Sequence, residues 1–294
     1  MTNLAHLRVM EPVSGVLAFY DGRVPGLRFA DGPNWVDDGA LSLGIASYAI
    51  HDGSEALIYD THVLVDHAAF IRRTLENMGV TRFTVVLSHW HLDHIAGTEA
   101  FADSTIIANR RTTDHMTRHR AAIEAGTCHG APSINPLVMP TRIFEGRAHV
   151  HIGRLHIDLI EANIHSDDAT VVWWAAQRLL LAGDTMEDCV TYVAEPQGLD
   201  THLAEFARLA GLNPAQILPN HGAPDIIAAG GYNPEMNAAT QDYIRVLQRC
   251  RTDINLRDTP LPVLIADPLA AGTLLWFEPY AAVHAQNIKR VLAL

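Results

Sequence analysis

Three cysteines in 294 residues, Cys128, Cys189 and Cys250, are too few and too scattered for a disulfide framework, and none has metal-site spacing. A reducing compartment is the simplest reading, with the cytoplasm as default. Long apolar runs are missing too. None approaches the ~20 residues a bilayer-spanning helix needs, and residues 1–8 lack the charged-then-apolar pattern of a secretion signal. Basic residues are scarce: 21 Lys and Arg stand against 33 Asp and Glu, a formal net charge of −12. That argues against nucleic acid as the main partner, because phosphate binding needs a basic footprint. Repeats, low-complexity tracts and convincing linkers are absent. With 48% hydrophobic and 18% charged residues, the chain is expected to fold as one globular domain over 1–294, helical from about residue 234.

What the chain has instead is histidine, 17 residues of it. Three fall in Ser88-His89-Trp90-His91-Leu92-Asp93-His94, directly after the apolar, β-branched run 83–87, which reads as a buried strand. In extended chain His89 and His91 point to one side. A bend into helix at 92–95 brings Asp93 and His94 to a neighbouring point. The outcome is one metal pocket with two His and a second with Asp and His, donors that suit Zn²⁺.

Along the chain, strands are expected at 16–20, 41–50 and 56–59, with a polar loop at 31–39 carrying Trp35. Asp66 is expected to cap a helix that ends at Gly79. Residues 55–94 then form a strand–helix–strand unit, which implies a parallel pair with a right-handed crossover. The His run sits at the carboxyl end of its strand, where ligand sites of such sheets lie. A short strand at 105–108, a basic helix at 109–125 and a loop at 126–141 follow. Strands at 142–144, 148–152, 155–160, 170–175 and 179–182 precede a helix from Asp200 to Gly211, a strand at 217–219 and terminal helices including 280–292. This order suggests two stacked sheets with helices outside.

A catalytic zinc wants at least three protein ligands. His165, Asp184 and His221 each end an apolar strand, Asp184 after Gly183 and His221 before Gly222. Taken together, His89-x-His91-x-Asp93-His94, then His165, Gly183-Asp184 and His221-Gly222 resemble the metallo-β-lactamase superfamily over about residues 40–225. The resemblance implies an α/β fold, a four-layer αββα sandwich with metals at one edge between the sheets. It implies two Zn²⁺ ions, with iron or manganese as other divalent candidates. His89, His91 and His165 would hold the first ion, Asp93, His94 and His221 the second, and Asp184 would bridge them. Asp60 looks like the family's buried carboxylate that hydrogen-bonds the metal loop. His149, His151 and His156 read as strand residues, because the family pattern leaves no metal for them.

The resemblance further implies a dinuclear zinc hydrolase in which a metal-bridging hydroxide attacks a small-molecule ester, lactone, thioester or cyclic amide. Asp93 is the expected catalytic residue, orienting the hydroxide and handing a proton to the leaving group. A diiron oxidoreductase and a phosphodiesterase are the alternatives. The diiron branch usually has Glu where this chain has His91, and acyl-homoserine lactonases carry Tyr where this chain has Glu187. Residues 31–39 with Trp35 are a candidate lid, and Arg110, Arg111, Arg118 and Arg120 a candidate anion-binding face. Oligomeric state is not legible.

Overall fold

The structure is a computed structural model and describes residues 4–294; the first three residues of the 1–8 stretch read above lie outside the described residues. Seven strands form one sheet in chain order: β1 (Arg8–Val13), β2 (Val16–Asp21), β3 (Ile45–Asp52), β4 (Glu55–Tyr59), β5 (Arg82–Val86), β6 (Thr105–Asn109) and β7 (Arg142–Phe144). The second sheet holds β8 (Arg147–Ile152), β9 (Leu155–Glu161), β10 (Thr170–Trp174), β11 (Leu179–Gly183) and β12 (Gln216–Pro219), ordered β12-β11-β10-β9-β8.

Alternating side chains set the layers. Val16, Tyr48, Leu57 and Val86 of the first sheet meet Val150, Ile157, Leu159, Val172 and Leu181 of the second in a core between the sheets. The other face of the first sheet carries Phe19, Ile58, Val85 and Ile106, against α1 (Val65–Asn77), the short α2 (Leu92–Ile95) and α3 (Arg110–Glu124). The outer face of the second carries Ile160, Val171, Trp173 and Leu180. There it meets α4 (Leu199–Ala210) and, past the short α5 (Pro224–Ala228), α6 (Glu235–Cys250). The short helices α7 (Ile254–Arg257), α8 (Leu261–Leu264) and α9 (Ala266–Ala270) lead to α10 (Tyr280–Leu292), which packs on α6. This is the expected αββα order. Among the described residues no helix is long and apolar enough to cross a membrane.

The strand–helix–strand unit forms as read: β4 pairs parallel with β5, and β5 with β6. β11 and β12 are parallel as well. The carboxyl ends of these strands share one edge of the sandwich, which fixes where their following loops must meet.

Two local expectations change. The strand expected at 41–50 starts at Ile45, because Val36–Leu41 is a helical turn that begins in the expected 31–39 loop and runs past it, and Gly44 (φ +74°) redirects the chain. A Cβ at Gly44 would lie 1.8 Å from the Tyr20 hydroxyl, so glycine is required there for space as well as for φ. Asp66 is not the helix cap: Leu64 holds that position, and Asp66 lies in the first turn of α1, where its charge favours the helix dipole.

Candidate metal centre

β5 ends at Val86, and Leu87-Ser88 carry the chain to the histidines. Ser88 N–H donates to Asp60 Oδ1 (2.6 Å), and Trp90 N–H donates to Asp168 Oδ2 (2.9 Å). These two buried carboxylates pin the run before it turns into α2, where Asp93 and His94 project on the first turn.

Asp184 follows Gly183, whose φ is +58° and whose added Cβ would lie 2.7 Å from the Tyr59 hydroxyl. His165 comes from the loop after β9, itself at φ +69°, and His221 from the loop after β12. All seven expected residues are brought together. His91 Nδ1 lies 2.8 Å from His89 Nε2 and 3.0 Å from His165 Nε2. His221 Nε2 and His94 Nε2 stand 3.3 and 3.5 Å from Asp93 Oδ2. Asp184 Oδ2 lies between the two sets, 3.1 Å from His94 and 3.4 Å from His221 on one side, 3.7 Å from both His89 and His165 on the other.

Outer contacts set which nitrogen faces inward. His94 Nδ1 donates to Asp60 Oδ2 (2.9 Å), which also accepts from Asn220 Nδ2 (2.6 Å). His221 Nδ1 donates to the Gly44 carbonyl (2.7 Å). His165 Nδ1 faces Glu187 Oε1 at 3.5 Å, and Ser88 Oγ lies 2.9 Å from His89 Nδ1. In the neutral rings of His94, His165 and His221 these contacts favour the proton on Nδ1 and turn Nε2 inward, the form a metal requires.

These residues fit divalent ions. Three inward imidazole nitrogens crowd one point, and Asp184 Oδ1 is buried with no hydrogen-bond partner. Burial, then the imidazoles of His94 and His91, holds His89 well below the usual histidine range; burial and His165 do the same to His91. Burial also lowers His94, but the carboxylates of Asp184, Asp93 and Asp60 outweigh it and hold the ring well above that range. Burial raises Asp93, yet His94 and His221 pull it below the carboxylate range. His89 and His91 are thus held as neutral donors, while Asp184, Asp93 and Asp60 concentrate negative charge around His94, a donor set that suits a divalent cation.

Asp167 and Asp168, other carboxylates near His165, are otherwise engaged: Asp168 accepts from Trp90 N–H and Ser166 Oγ, and Asp167 Oδ1 accepts from His115 Nε2 (2.7 Å). On α3, Arg110 pairs with Glu145 and Arg120 with Glu124, while Arg111 donates to the Asp167 carbonyl (2.8 Å); Arg118 is exposed. Trp35 donates Nε1 to the Pro132 carbonyl (2.9 Å), tying its segment to the 126–136 loop.

Glu187 and Asn220 are contributors that the sequence did not single out. Asn220 was signalled only by preceding His221. Glu187 is held by Tyr192 N–H (3.0 Å) and by the Tyr280 hydroxyl of α10 (3.3 Å). On the same helix, Asn287 accepts from Val193 N–H (2.8 Å) and donates to the Thr191 carbonyl (2.9 Å), while Thr191 Oγ1 donates to the Asp184 carbonyl (2.7 Å).

The profile of the metallo-β-lactamase superfamily matches residues 43–221, from just before β3 to the last histidine of the cluster. The chain is 21% identical over 224 residues to a Caenorhabditis elegans protein named beta-lactamase-like protein 2 homolog, covering 76% of this chain and 66% of that one. It therefore spans about two thirds of that curated relative's length. Among solved structures, the metallo-β-lactamase from Pontibacter korlensis superposes with a TM-score of 0.62 at 15% identity, over 82% of this chain and 99% of that one. The DIM-1 metallo-β-lactamase gives 0.61 at 15% identity, over 82% and 97%. At such identities the superpositions speak for the fold alone. The profile, matching more than half the chain and ending on the site's own His221, carries the assignment: this chain belongs to the metallo-β-lactamase superfamily.

Proposed function

We propose that the protein is a dinuclear zinc hydrolase acting on a small ester, lactone, thioester or cyclic amide. One observation carries the reading: a single carboxylate oxygen, Asp184 Oδ2, lies within 3.7 Å of imidazoles from both ligand sets. In this reading His89, His91 and His165 hold one ion, Asp93, His94 and His221 the other, and Asp184 joins them. When bound, the ions supply Lewis acidity and lower the pKa of water towards neutrality.

The chain's own groups do the rest. Asp60, Asn220, Glu187 and the Gly44 carbonyl fix the ring orientations, so the site is organised before substrate arrives. Asp93 is the more exposed of the two carboxylates facing the cluster, its side chain 17% accessible against 4% for Asp184. Its Oδ2 is suited to accept a proton from attacking water and return it to the leaving group. The substrate is a small molecule, since an acidic chain offers no footprint for nucleic acid. A cytoplasmic location belongs to the same proposal and rests on three unpaired cysteines.

The test is metal analysis of purified protein together with turnover on an ester, lactone, thioester and β-lactam panel, before and after chelation. About two zinc per chain, with chelator-sensitive turnover, is expected. Two iron with redox activity would replace hydrolysis by the oxidoreductase alternative, and turnover of phosphodiesters alone would move the substrate class.

A further inference from the structure

Helices cover the outer face of the second sheet over β10–β12, but its far edge, β8 with β9, carries an exposed polar surface. On β8, Val150 and Ile152 turn into the core between the sheets, so His149 and His151 point outward and are exposed. In the antiparallel register His151 stands opposite His156 and His149 opposite Asp158. The rings of His149, His151 and His156 form a cluster, with centroids 5.7 Å apart for the first pair and 5.1 Å from each to His156.

His151 Nε2 lies 3.4 Å from His156 Nδ1. Zinc–imidazole bonds of about 2.0–2.1 Å at a tetrahedral angle separate two ligand nitrogens by about 3.3–3.4 Å. The pair is already at the bite of a metal ion, and the exposed His149 ring stands beside it, its centroid 5.1 Å from that of His156. The far side of His156 is prepared as well. Its Nε2 is 3.6 Å from Asp158 Oδ1, on a carboxylate that is 8% exposed and anchored by Arg147 at 2.8 Å. A carboxylate behind a ligating imidazole fixes its tautomer and raises its basicity.

We propose that His149, His151 and His156 form a separate surface site for a transition-metal ion such as Ni²⁺, Cu²⁺ or Zn²⁺, with Asp158 orienting His156. Imidazole suits these ions, and Cu²⁺ binds most tightly in the general order of affinities. Three protein donors leave positions for water or for a donor from another molecule. The site shares no residue with the strand-end cluster, so it stands or falls independently of the function proposed above.

The experiment uses the 294-residue chain without an affinity tag and Ni²⁺ as the probe. Wild type should be retained on a Ni²⁺-charged resin at neutral pH and released by imidazole. The His151→Gln/His156→Gln double variant should pass through, bind one ion fewer per chain in equilibrium dialysis, and show Ni²⁺ affinity lowered at least about tenfold. A His89→Ala/His91→Ala variant should still be retained. Retention and ion count unchanged in the double Gln variant, or lost only in the His89/His91 variant, would overturn the site. A measurement on unmodified protein guards against folding defects: substoichiometric Ni²⁺ should broaden the NMR signals of His149, His151 and His156 first, and broadening confined to the central histidines would equally overturn it.

Discussion

Glu187 Oε1 stands 3.5 Å from His165 Nδ1, on the side of the ring away from the His/Asp cluster. Both side chains are buried, and the same carboxylate accepts from Tyr192 N–H and the Tyr280 hydroxyl. Burial lowers His165, but Glu187, by hydrogen bond and charge, together with Asp184 raises it above the usual histidine range. A carboxylate so placed keeps the proton on Nδ1 and the Nε2 lone pair turned inward.

Replacing Glu187 with Gln should therefore weaken metal binding at the pocket of His89, His91 and His165 by roughly 10- to 100-fold. Chelator competition on the intact protein measures this, with Glu187→Asp as a partial rescue. Equal affinities for all three proteins would assign Glu187 a packing role only.

Asp184→Ala removes a carboxylate whose Oδ2 lies within 3.7 Å of imidazoles from both histidine sets. One ion should be lost preferentially, and activity should fall far more than fold stability. The acid limb of the pH–rate profile should move upward, because a single ion lowers the pKa of water less than a pair does. Metal content per chain, read beside that profile, decides it. Two ions retained with an unmoved limb would dissociate Asp184 from the bridging role.

Asp93→Asn keeps the size of the side chain and removes the charge that accepts the proton. The expected loss is roughly 10²-fold or more in kcat, with a smaller loss of metal. Single-turnover kinetics at full metal occupancy are the measurement, and undiminished kcat would take the proton-transfer role from Asp93.

His202, on α4, is fully buried, and neither ring nitrogen has a hydrogen-bond partner. Burial pushes its pKa down from 6.5 to about 4. Between those values the unfolded chain binds more protons than the folded one, so this contribution is complete above pH 6.5 and is lost as pH falls towards 4. Its cost between pH 7 and pH 5 is about 2 kcal/mol. Urea midpoints of metal-free wild type should thus fall more steeply over that interval than those of His202→Leu; parallel slopes would show the buried ring is not the titrating group.

Much of the centre was legible because its chemistry is local. The run from His89 to His94 follows an apolar strand with no room for another element, and Gly183 and Gly222 flag the close approaches beside Asp184 and His221. The layer order followed from where apolar alternation gave way to helical spacing. Less local features stayed hidden. Glu187, three residues after Asp184, looks like any surface Glu until α10 folds back over it. The strand start at Ile45 depends on the Tyr20 hydroxyl filling the space beside Gly44, a contact across two strands. The His149, His151 and His156 cluster was visible as spacing, but its meeting required the hairpin register that sets His151 opposite His156.

The hydrogen bonds from α10 to the 187–193 segment give the protein a longer minimal unit than its family signature. The profile ends at residue 221, yet Tyr280 steadies the carboxylate behind His165, and Asn287 ties down both sides of a loop that also braces Asp184. A fragment cut after residue 221 would keep all seven residues of the candidate centre and lose the clamp on two of them. Grafting this centre into another scaffold, or trimming the chain to its most recognisable part, would therefore have to carry the last helix along.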